Sequence, residues 1–260
     1  MRKERIDVLL VQRGLAESRS QAQRMVMAGQ VRVDGQILLK PSVVVGSNRE
    51  ISVDRGPRYV SRGGEKLDAA LSRFNIDVAG KRCADVGAST GGFTDCLLQH
   101  GAAYVYAIDV GSGILHWKIR QEKRVVVMEN TNARHLDYLP EDVSLVTVDV
   151  SFISIKLLLP VIKGWFPKFG GEVIALIKPQ FEAGKRIVSR GAGVIRDPGI
   201  HREVLSDILS YASKIGYDVG GLMRSPLTGP KGNVEFLAWL IYPKEKDTGI
   251  NNLIDFVLEA

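Results

Sequence analysis

The sequence contains few cysteines, no long apolar run and no recognisable leader. Its 260 residues contain two cysteines, Cys83 and Cys96. Both flank a glycine-rich loop in segments that should be buried, so we expect free thiols in a reducing compartment and no disulfide. No run of 18 apolar residues and no charged-then-apolar leader occurs, so the sequence predicts neither a membrane span nor a signal peptide. A cytoplasmic protein is the expectation.

Clustered metal ligands are missing as well. The four histidines and two cysteines do not group at ligand spacing, so the sequence predicts no metal site. What the chain does contain is 45% hydrophobic residues, enough for the core of one large domain or two small ones. Its charge is uneven, because residues 1–60 hold five of the six excess positive charges. That bias suggests a separate N-terminal unit that binds a polyanion.

The N-terminal segment has the pattern of two short helices followed by a hairpin. Apolar residues between Ile6 and Leu10 fall on one helical face, and Ser18 to Gln21 has the form of a capping box. Alternating apolar residues surround Asp34-Gly35, which is a strong hairpin signal. We expect a compact α+β unit that ends near Val53.

The most informative stretch is the loop after a predicted strand that ends at Asp85. It reads Asp85-Val86-Gly87-Ala88-Ser89-Thr90-Gly91-Gly92-Phe93 and leads into a helix. Small residues at such a turn let a ligand approach the backbone at the helix N-terminus. A dinucleotide loop would carry Gly-x-Gly-x-x-Gly, whereas here a carboxylate precedes the first glycine. A carboxylate would repel a pyrophosphate but suits a cationic ligand such as S-adenosylmethionine.

The next predicted strand, Tyr104 to Asp109, also ends in an acid. A carboxylate at this strand tip can accept hydrogen bonds from both ribose hydroxyls of a nucleoside. Either acid alone could be an ordinary strand-end residue of another α/β protein, but both acids together with the glycine loop favour a methyltransferase. The candidate cofactor-binding residues are Asp85, Gly87, Ser89, Gly91, Gly92, Asp109 and Asn132.

Further apolar strands alternate with helical segments along the rest of the chain. Strands are predicted at 125–128, 145–149, 172–178, 219–223 and 235–242, a helix at 201–215, and a lid or substrate loop at 180–200. Nearly continuous apolar strands imply a parallel sheet with helices on both faces. The carboxyl ends of such strands meet at one rim, where ligands bind. The charged residues that can reach this rim are Lys66, Asp149, Lys178 and Glu235.

The N-terminal unit resembles the S4 RNA-binding domain. The resemblance rests on Arg5-Ile6-Asp7, Gly14-Leu15-Ala16, Ser18-Arg19, Ala22, Gly29 to Gly35 and Lys40-Pro41. It implies that the helix pair and the adjoining hairpin present basic residues to structured RNA. The RNA-binding candidates at matching positions are Arg5, Arg13, Ser18, Arg19, Arg24 and Lys40.

The rest of the chain resembles the FtsJ-type ribose 2′-O-methyltransferases, through the glycine loop and the ordered Lys-Asp-Lys-Glu set at the predicted rim. An S4 domain joined to such a domain resembles the TlyA family, also called haemolysin A. The resemblance covers essentially the whole chain. It implies an α/β fold with an S4-like domain at 1–59, a linker at 60–65 and a Rossmann-like, S-adenosylmethionine-dependent methyltransferase domain at 66–260. Two positions depart from the pattern: Ser89 replaces a common glycine, and Asn132 replaces an adenine-contacting Asp.

The resemblance also implies a reaction, which is S-adenosylmethionine-dependent methylation of a ribose 2′-oxygen in ribosomal RNA. Cytidine in large-subunit RNA is the expected target, with small-subunit RNA left open, and ribosomal subunits are the expected partners. Lys178 should orient the hydroxyl and stabilise the developing alkoxide, with Lys66 as second cation. Whether Lys178 also removes the proton stays open, as does the oligomeric state.

Two alternatives to this function remain. A membrane-active haemolysin would need an amphipathic or membrane-spanning segment, and the sequence shows none. An RNA-binding assembly factor without catalytic activity is the other alternative, and the intact four-residue set argues against it.

Overall fold

The computed structural model describes residues 3–54, 56–184, 193–246 and 249–259. The chain forms two compact units, Met1–Arg58 and Tyr59–Ala260, and each has a hydrophobic core of its own. The elements of the N-terminal unit are β1 (Lys3–Arg5), α1 (Ile6–Gln12), α2 (Arg19–Met27), β2 (Val31–Val33), β3 (Gln36–Ile37), β4 (Val44–Gly46) and β5 (Ile51–Val53).

The N-terminal unit packs its two helices over small antiparallel sheets. Strand β2 pairs with β3 and with β5, and β1 pairs with β4. Ile6 and Leu10 of α1 pack with Ala22 and Val26 of α2 and with Val31 of β2. The predicted helix pair and hairpin are therefore present. Strand β1 was not predicted, because three extended residues are too few to show a period of their own.

The C-terminal unit alternates strands and helices. Its elements are α3 (Gly63–Phe74), β6 (Arg82–Val86), α4 (Gly92–Gln99), β7 (Tyr104–Ile108), α5 (Trp117–Arg120), β8 (Val125–Met128), β9 (Leu145–Val148), α6 (Leu159–Ile162), β10 (Gly171–Ile177), α7 (Pro179–Glu182), α8 (Pro198–Lys214), β11 (Asp218–Arg224), β12 (Phe236–Tyr242) and α9 (Ile250–Glu259). Single 3-10 turns occupy Ala133–His135, Ile155–Leu157 and Lys163–Trp165.

Helix α3 begins within the predicted linker 60–65. It begins at Gly63, so residues 63–65 of the predicted linker form its first turn. Paired glycines read as a linker because glycine disfavours helices. At Gly64 the absence of a side chain is needed for packing, since an added Cβ would lie 2.2 Å from the ring of Tyr59. The close approach of Tyr59 therefore explains a glycine inside this helix.

One mixed sheet organises the C-terminal unit, in the order β11-β12-β10-β9-β6-β7-β8. Strands β10, β9, β6, β7 and β8 run parallel, as predicted. Strand β12 is antiparallel to both β10 and β11, so the prediction of a parallel sheet is wrong at this edge. The cause is the short connection 225–235, because a parallel crossover needs about a dozen residues or more.

The antiparallel register brings distant charged residues to one rim of the sheet. Ile177 of β10 lies opposite Phe236 of β12. Lys178, just after β10, and Glu235, just before β12, therefore emerge at the same edge. Asp149 follows β9, the parallel neighbour of β10, and joins them there. Chain reversal at β12 thus places Glu235 in the site although it precedes its strand.

Helices cover both faces of the sheet, as predicted. One face carries a core that includes the fully buried Trp165 and Tyr217, and the other carries a core around Leu67. Cys83 and Cys96 are both buried, and no disulfide joins them.

The C-terminal helix α9 was not predicted. It contacts α8 and β11, and its Ile254 is fully buried in the core of the unit. This helix is short and its stabilising contacts come from α8, which the local sequence does not reveal. None of the helices in the described ranges combines the length and apolar character needed to cross a membrane.

We expect residues 59–260 to fold when expressed without the N-terminal unit. The cores of the two units share no residue, so truncation exposes no core side chain of the larger unit. Urea unfolding followed by circular dichroism should show a cooperative transition, because both cores of this unit pack against the same sheet. A fragment without a cooperative transition would contradict the independence of the two units.

Candidate active site

The glycine loop between β6 and α4 is held in a conformation that favours glycine. Gly87 has φ +83°, and an added Cβ would lie 2.5 Å from the carbonyl oxygen of Asp149. Ser89 has φ +49°, and its backbone N–H donates to Oδ2 of Asp109 at 2.8 Å. Asp109 also accepts the N–H of Gly111 at 2.7 Å. The Asp109 carboxylate, which follows β7, therefore holds the loop after β6 in this conformation.

Two adjoining cavities lie on either side of this loop. The smaller, of about 350 Å³, is lined by the loop and by Asp109, Val110, Ile114 and Asn132. Val110 and Ile114 are exposed apolar side chains, suited to contact the face of a base. The carboxylate of Asp109 can accept from ribose hydroxyls. The two apolar side chains and the Asp109 carboxylate together suit the nucleoside part of S-adenosylmethionine.

Two of the predicted cofactor-binding residues, Asp85 and Gly91, line neither cavity. Asp85 is fully buried, and its carboxylate accepts hydrogen bonds from the hydroxyls of Thr94 at 2.7 Å and Thr147 at 2.9 Å. Gly91 has φ +92° and lies against Leu115. The sequence pattern shows that these residues belong to the loop but not which side of the loop they occupy. Both support the loop from behind.

Burial has a measurable consequence for Asp85. It raises the pKa of the Asp85 carboxyl to about 7, and nearby Asp149 adds to the increase, while the hydrogen bonds from Thr94 and Thr147 oppose it. Within the part of the chain that the structure describes, no cation lies within ion-pair distance of the Asp85 carboxyl. The charged form of Asp85 is therefore costly in the folded protein.

Asn132, another predicted cofactor-binding residue, lines the smaller cavity, but its amide oxygen already has a partner. Its Oδ1 accepts the backbone N–H of Arg134 at 3.1 Å and caps the 3-10 turn that follows β8. Gly87, Ser89 and Gly92 line the larger cavity, and the first two also line the smaller one. The loop therefore forms the wall between the two cavities.

The larger cavity, of about 830 Å³, gathers all four predicted catalytic residues. Lys66 of α3 donates to Oε2 of Glu235 at 2.5 Å, and both side chains are buried, with 8% and 2% of their surface exposed. Lys178 forms an ion pair with Oδ1 of Asp149 and lies 3.3 Å from the hydroxyl of Ser151. The rim thus holds two lysine–carboxylate pairs in one cavity.

A buried ion pair such as Lys66–Glu235 costs free energy to form, so its presence at this rim is informative. Removing two charges from water costs several kcal/mol for each ion, which the attraction between them only partly repays. Asp149 lines both cavities, so the Lys178–Asp149 pair lies where the two cavities meet. A group donated from the smaller cavity and an acceptor in the larger one would therefore meet beside Lys178.

The sequence reasoning missed Phe152. It lines both cavities, is 85% exposed and has φ +67°, a conformation that costs a bulky residue about 1–3 kcal/mol. Its ring lies 4.8 Å from that of Phe181. The signal available in the sequence was an aromatic residue three positions after Asp149, the last residue of a predicted strand. The strained backbone presents a flat apolar surface at the mouth of the site.

Gln180 is a second residue that the sequence did not suggest. It lines the larger cavity, and its amide nitrogen donates to Oε1 of Glu235 at 3.4 Å. Its own Oε1 is buried, and no donor from the described residues reaches it. The predicted lid at 180–200 begins here, although its residues 185–192 lie outside the part of the chain that the structure describes.

In the N-terminal unit a buried carboxylate organises two of the predicted RNA-binding arginines. Asp7 is fully buried and accepts two hydrogen bonds from Arg5, at 3.0 and 2.9 Å, and one each from Arg19 and Gln23. The Arg5 guanidinium holds the pKa of Asp7 well below its usual range, and Gln23 and Arg19 add to the effect. Asp7 therefore fixes two partly exposed guanidinium groups.

The other predicted RNA-binding residues divide into two groups. Arg24 and Lys40 are exposed. Arg13 donates to the carbonyl oxygens of Ser47 and Arg49, and Ser18 caps α2 by accepting the N–H of Gln21 at 3.2 Å. Arg13 thus has structural partners that the sequence pattern did not predict, whereas the contact of Ser18 with Gln21 agrees with the predicted capping box.

The prediction that potential metal ligands do not cluster is wrong in three dimensions. Asp68 of α3 meets Cys96 and His100 of α4, with ligand atoms within 4.8 Å of one another. The cluster lines neither cavity. Nε2 of His100 lies 2.7 Å from Oδ1 of Asp68, so a direct hydrogen bond accounts for the contact between the helices.

Fold and site together define the class of this protein. A mixed sheet of this order, a glycine loop after β6 and a charged rim next to a nucleoside-sized cavity are features of a Rossmann-like methyltransferase. Comparison with known families agrees, since the FtsJ-like methyltransferase family matches residues 59–242 and the S4 domain matches residues 4–51.

Individual relatives narrow the class to a family. The chain is 48% identical to a candidate rRNA methyltransferase of Bacillus subtilis, over 95% of this chain and 89% of that protein. It is 44% identical to the 16S/23S rRNA (cytidine-2′-O)-methyltransferase TlyA of Mycobacterium tuberculosis, over 100% and 97%. A solved structure of a candidate hemolysin from Streptococcus thermophilus superposes with a TM-score of 0.72 at 43% identity, covering 100% and 97%. This chain belongs to the TlyA family of FtsJ-like methyltransferases with an S4 domain.

We expect Asp85→Asn to change how stability depends on pH. Its pKa of about 7 in the folded state lies above the usual value of about 3.9 in an unfolded chain. The folded state therefore retains a proton between these values, and wild-type stability falls as pH rises through that window. The stability gained by Asp85→Asn over the wild type should grow by about 2.5 kcal/mol from pH 5 to pH 8.

Urea unfolding of both proteins at the two pH values measures this difference. The exposed Asp137 provides the matched control, because Asp137→Asn should show the same small difference at both values. A difference for Asp85→Asn that does not change with pH would contradict the raised pKa.

Proposed function

We propose that this chain transfers a methyl group from S-adenosylmethionine to the ribose 2′-oxygen of cytidine in ribosomal RNA. The observation that carries the proposal is the pair of lysine–carboxylate contacts, Lys66–Glu235 and Lys178–Asp149, in one cavity beside the glycine loop. Such a set supplies cations at the point where an oxygen becomes negatively charged. It needs neither a metal nor a nucleophilic side chain.

The cofactor end of the site is the smaller cavity. S-adenosylmethionine would supply an electrophilic methyl group on its sulfonium. Asp109 would accept hydrogen bonds from the ribose of the cofactor, and Val110 and Ile114 would contact its base. The backbone of Gly87 and Ser89 would lie along its side, where side chains larger than serine would narrow the cavity.

The acceptor end is the larger cavity. A ribose hydroxyl is a weak nucleophile, so its proton must leave as the oxygen attacks. Lys178 would hold this oxygen and stabilise its negative charge through a charged hydrogen bond. Asp149 and Ser151 orient the Lys178 ammonium. Lys66, fixed by Glu235 and supported by Gln180, would supply a second positive charge.

Three observations support RNA as the substrate. The relative from Mycobacterium tuberculosis is named for cytidine-2′-O methylation of 16S and 23S rRNA. The N-terminal unit matches the S4 domain and presents Arg5 and Arg19 on a fixed support. Phe152 and Phe181 provide an aromatic surface on which an unpaired base of the RNA would stack. An rRNA substrate would in turn place the protein in the cytoplasm.

The alternative functions have less support. The name hemolysin recurs among the relatives, but no membrane-active segment was identified in the sequence. An assembly factor without activity would have no use for the buried Lys66–Glu235 ion pair at the rim, because such a pair costs stability.

Lys178→Ala tests the reaction. We expect methyl transfer to ribosomal subunits to fall by about 100-fold or more, the scale of losing one transition-state donor. Cofactor affinity and melting temperature should change little. Lys178→Arg should also be inactive, because a planar guanidinium cannot replace the compact ammonium. The exposed Lys168 provides the control, since Lys168→Ala should retain full activity.

The product identifies the acceptor atom. A 2′-O-methyl group makes the adjacent phosphodiester resistant to alkali, so tritium-labelled RNA from separated subunits should give an alkali-resistant dinucleotide. Label on a base, or normal turnover by Lys178→Ala, would overturn the proposed mechanism.

Asp7→Asn tests the role of the N-terminal unit. Loss of the charge should release Arg5 and Arg19 from their fixed positions and weaken binding to ribosomal RNA by about threefold to tenfold, because ordered guanidinium groups lose less entropy on contacting phosphate. Methylation at saturating RNA should be unchanged. The control is Asp34→Asn, since Asp34 is exposed and pairs with Arg49 in the same unit. Equal RNA affinity of the two variants would show that Asp7 only stabilises the fold.

A further inference from the structure

The charges around the larger cavity do not balance. Six charged residues line it, and four of them form the two lysine–carboxylate pairs. The remaining two are both positive, Arg62 and Lys231. Within the described part of the chain neither has an acidic partner within ion-pair distance. The cavity therefore presents two uncompensated positive charges in addition to its catalytic set.

These two cations belong to the same part of the cavity wall. Arg62 precedes α3, and its Nη2 donates to the carbonyl oxygen of Thr228 at 3.4 Å. Thr228 opens the turn 228–233 between β11 and β12, and Lys231 lies at the tip of that turn. Both side chains are exposed. Two cations brought to one wall without an acid repel each other unless an anion lies beside them.

The turn that carries Lys231 is rigid and connected to the catalytic set. Its ends are joined by the N–H of Gly229, which donates to the carbonyl of Asn233 at 2.9 Å. The buried Asn233 side chain bonds the backbone of Gly193 and Ile195. An added Cβ at Gly229 would lie 2.5 Å from Oε1 of Glu235. The backbone of the turn at Lys231 is thus held close to Glu235, four residues away.

We propose that Arg62 and Lys231 form a phosphodiester-binding subsite that holds the RNA phosphate next to the target ribose. The proposal rests on the proposed function, because it assigns one more contact of the same RNA. Arginine and lysine without acidic partners are the side chains that neutralise phosphate. Their exposure at the mouth of the larger cavity suits a backbone that remains partly in water.

Other anions fit this position less well. The carboxylate of the cofactor is one candidate, but neither Arg62 nor Lys231 lines the smaller cavity. Reading of a base edge is another candidate, but a flexible lysine on an exposed turn acts as a point charge with little directional selectivity. Recognition of a phosphate depends mainly on positive charge, and Arg62 and Lys231 provide that charge at this part of the cavity wall.

The experiment measures RNA affinity against salt for the full-length protein. We expect Lys231→Gln and Arg62→Gln each to weaken binding to ribosomal RNA about threefold to tenfold at low salt and to reduce the slope of log K against log salt by about one. The control Lys168→Gln, at an exposed lysine that lines neither cavity, should leave both quantities unchanged. Calorimetry with S-adenosylmethionine should give the wild-type affinity for all three variants.

A substituted RNA locates the contact. With a neutral methylphosphonate at the phosphate flanking the target, the wild type should lose affinity, and Lys231→Gln should lose little more, because the interacting partner is already gone. Equal additional loss in both proteins, an unchanged salt slope, or a loss of cofactor affinity would overturn the subsite. These results can be separated from failure of the proposed function, which would appear as a wild-type protein that does not methylate ribosomal RNA.

Discussion

Two lysine–carboxylate pairs at the end of a buried sheet constrain much of this structure. A lysine placed there alone would lose its hydration without compensation, and so would a lone carboxylate. Lys66 and Glu235 are 169 positions apart in the chain, so their contact requires α3, β10 and β12 to be correctly assembled. The antiparallel strand β12 is therefore more than an edge of the sheet, because its reversed direction carries Glu235 to the rim where the parallel strands end.

The same constraint recurs in the N-terminal unit with another outcome. Asp7 is buried with several donors around it, and it draws Arg5 and Arg19 together. A buried acid here serves to order positive charge at the surface, which suits recognition of a polyanion. Asp85 shows the opposite case, because it is buried with hydroxyl partners and its pKa is raised. Burial of Glu235, Asp7 and Asp85 thus has three different consequences, each decided by the neighbouring donors.

Much of the site could be predicted because its residues stand at strand ends. Three predicted parallel strands end in a charged residue, namely Asp109, Asp149 and Lys178. Parallel strands bring these carboxyl ends together at one rim. Asp85 and Gly91 show the limit of this reasoning, since a loop pattern does not tell which side chains face a ligand and which face the core. Arg13 is similar, because its structural partners, the carbonyl oxygens of Ser47 and Arg49, lie at positions that no local pattern marks.

Periodicity and turn chemistry in the sequence by themselves determined the two-unit organisation, the helix pair and hairpin, the five parallel strands and the loop after Asp85. These are local features, encoded within a few residues of one another. Only the tertiary structure decided the direction of β12, the packing of α9, the strained Phe152 at the cavity mouth and the grouping of Arg62 with Lys231. Each of these depends on contacts between distant segments, whose energies exist only after the chain has folded and its buried groups have found their partners.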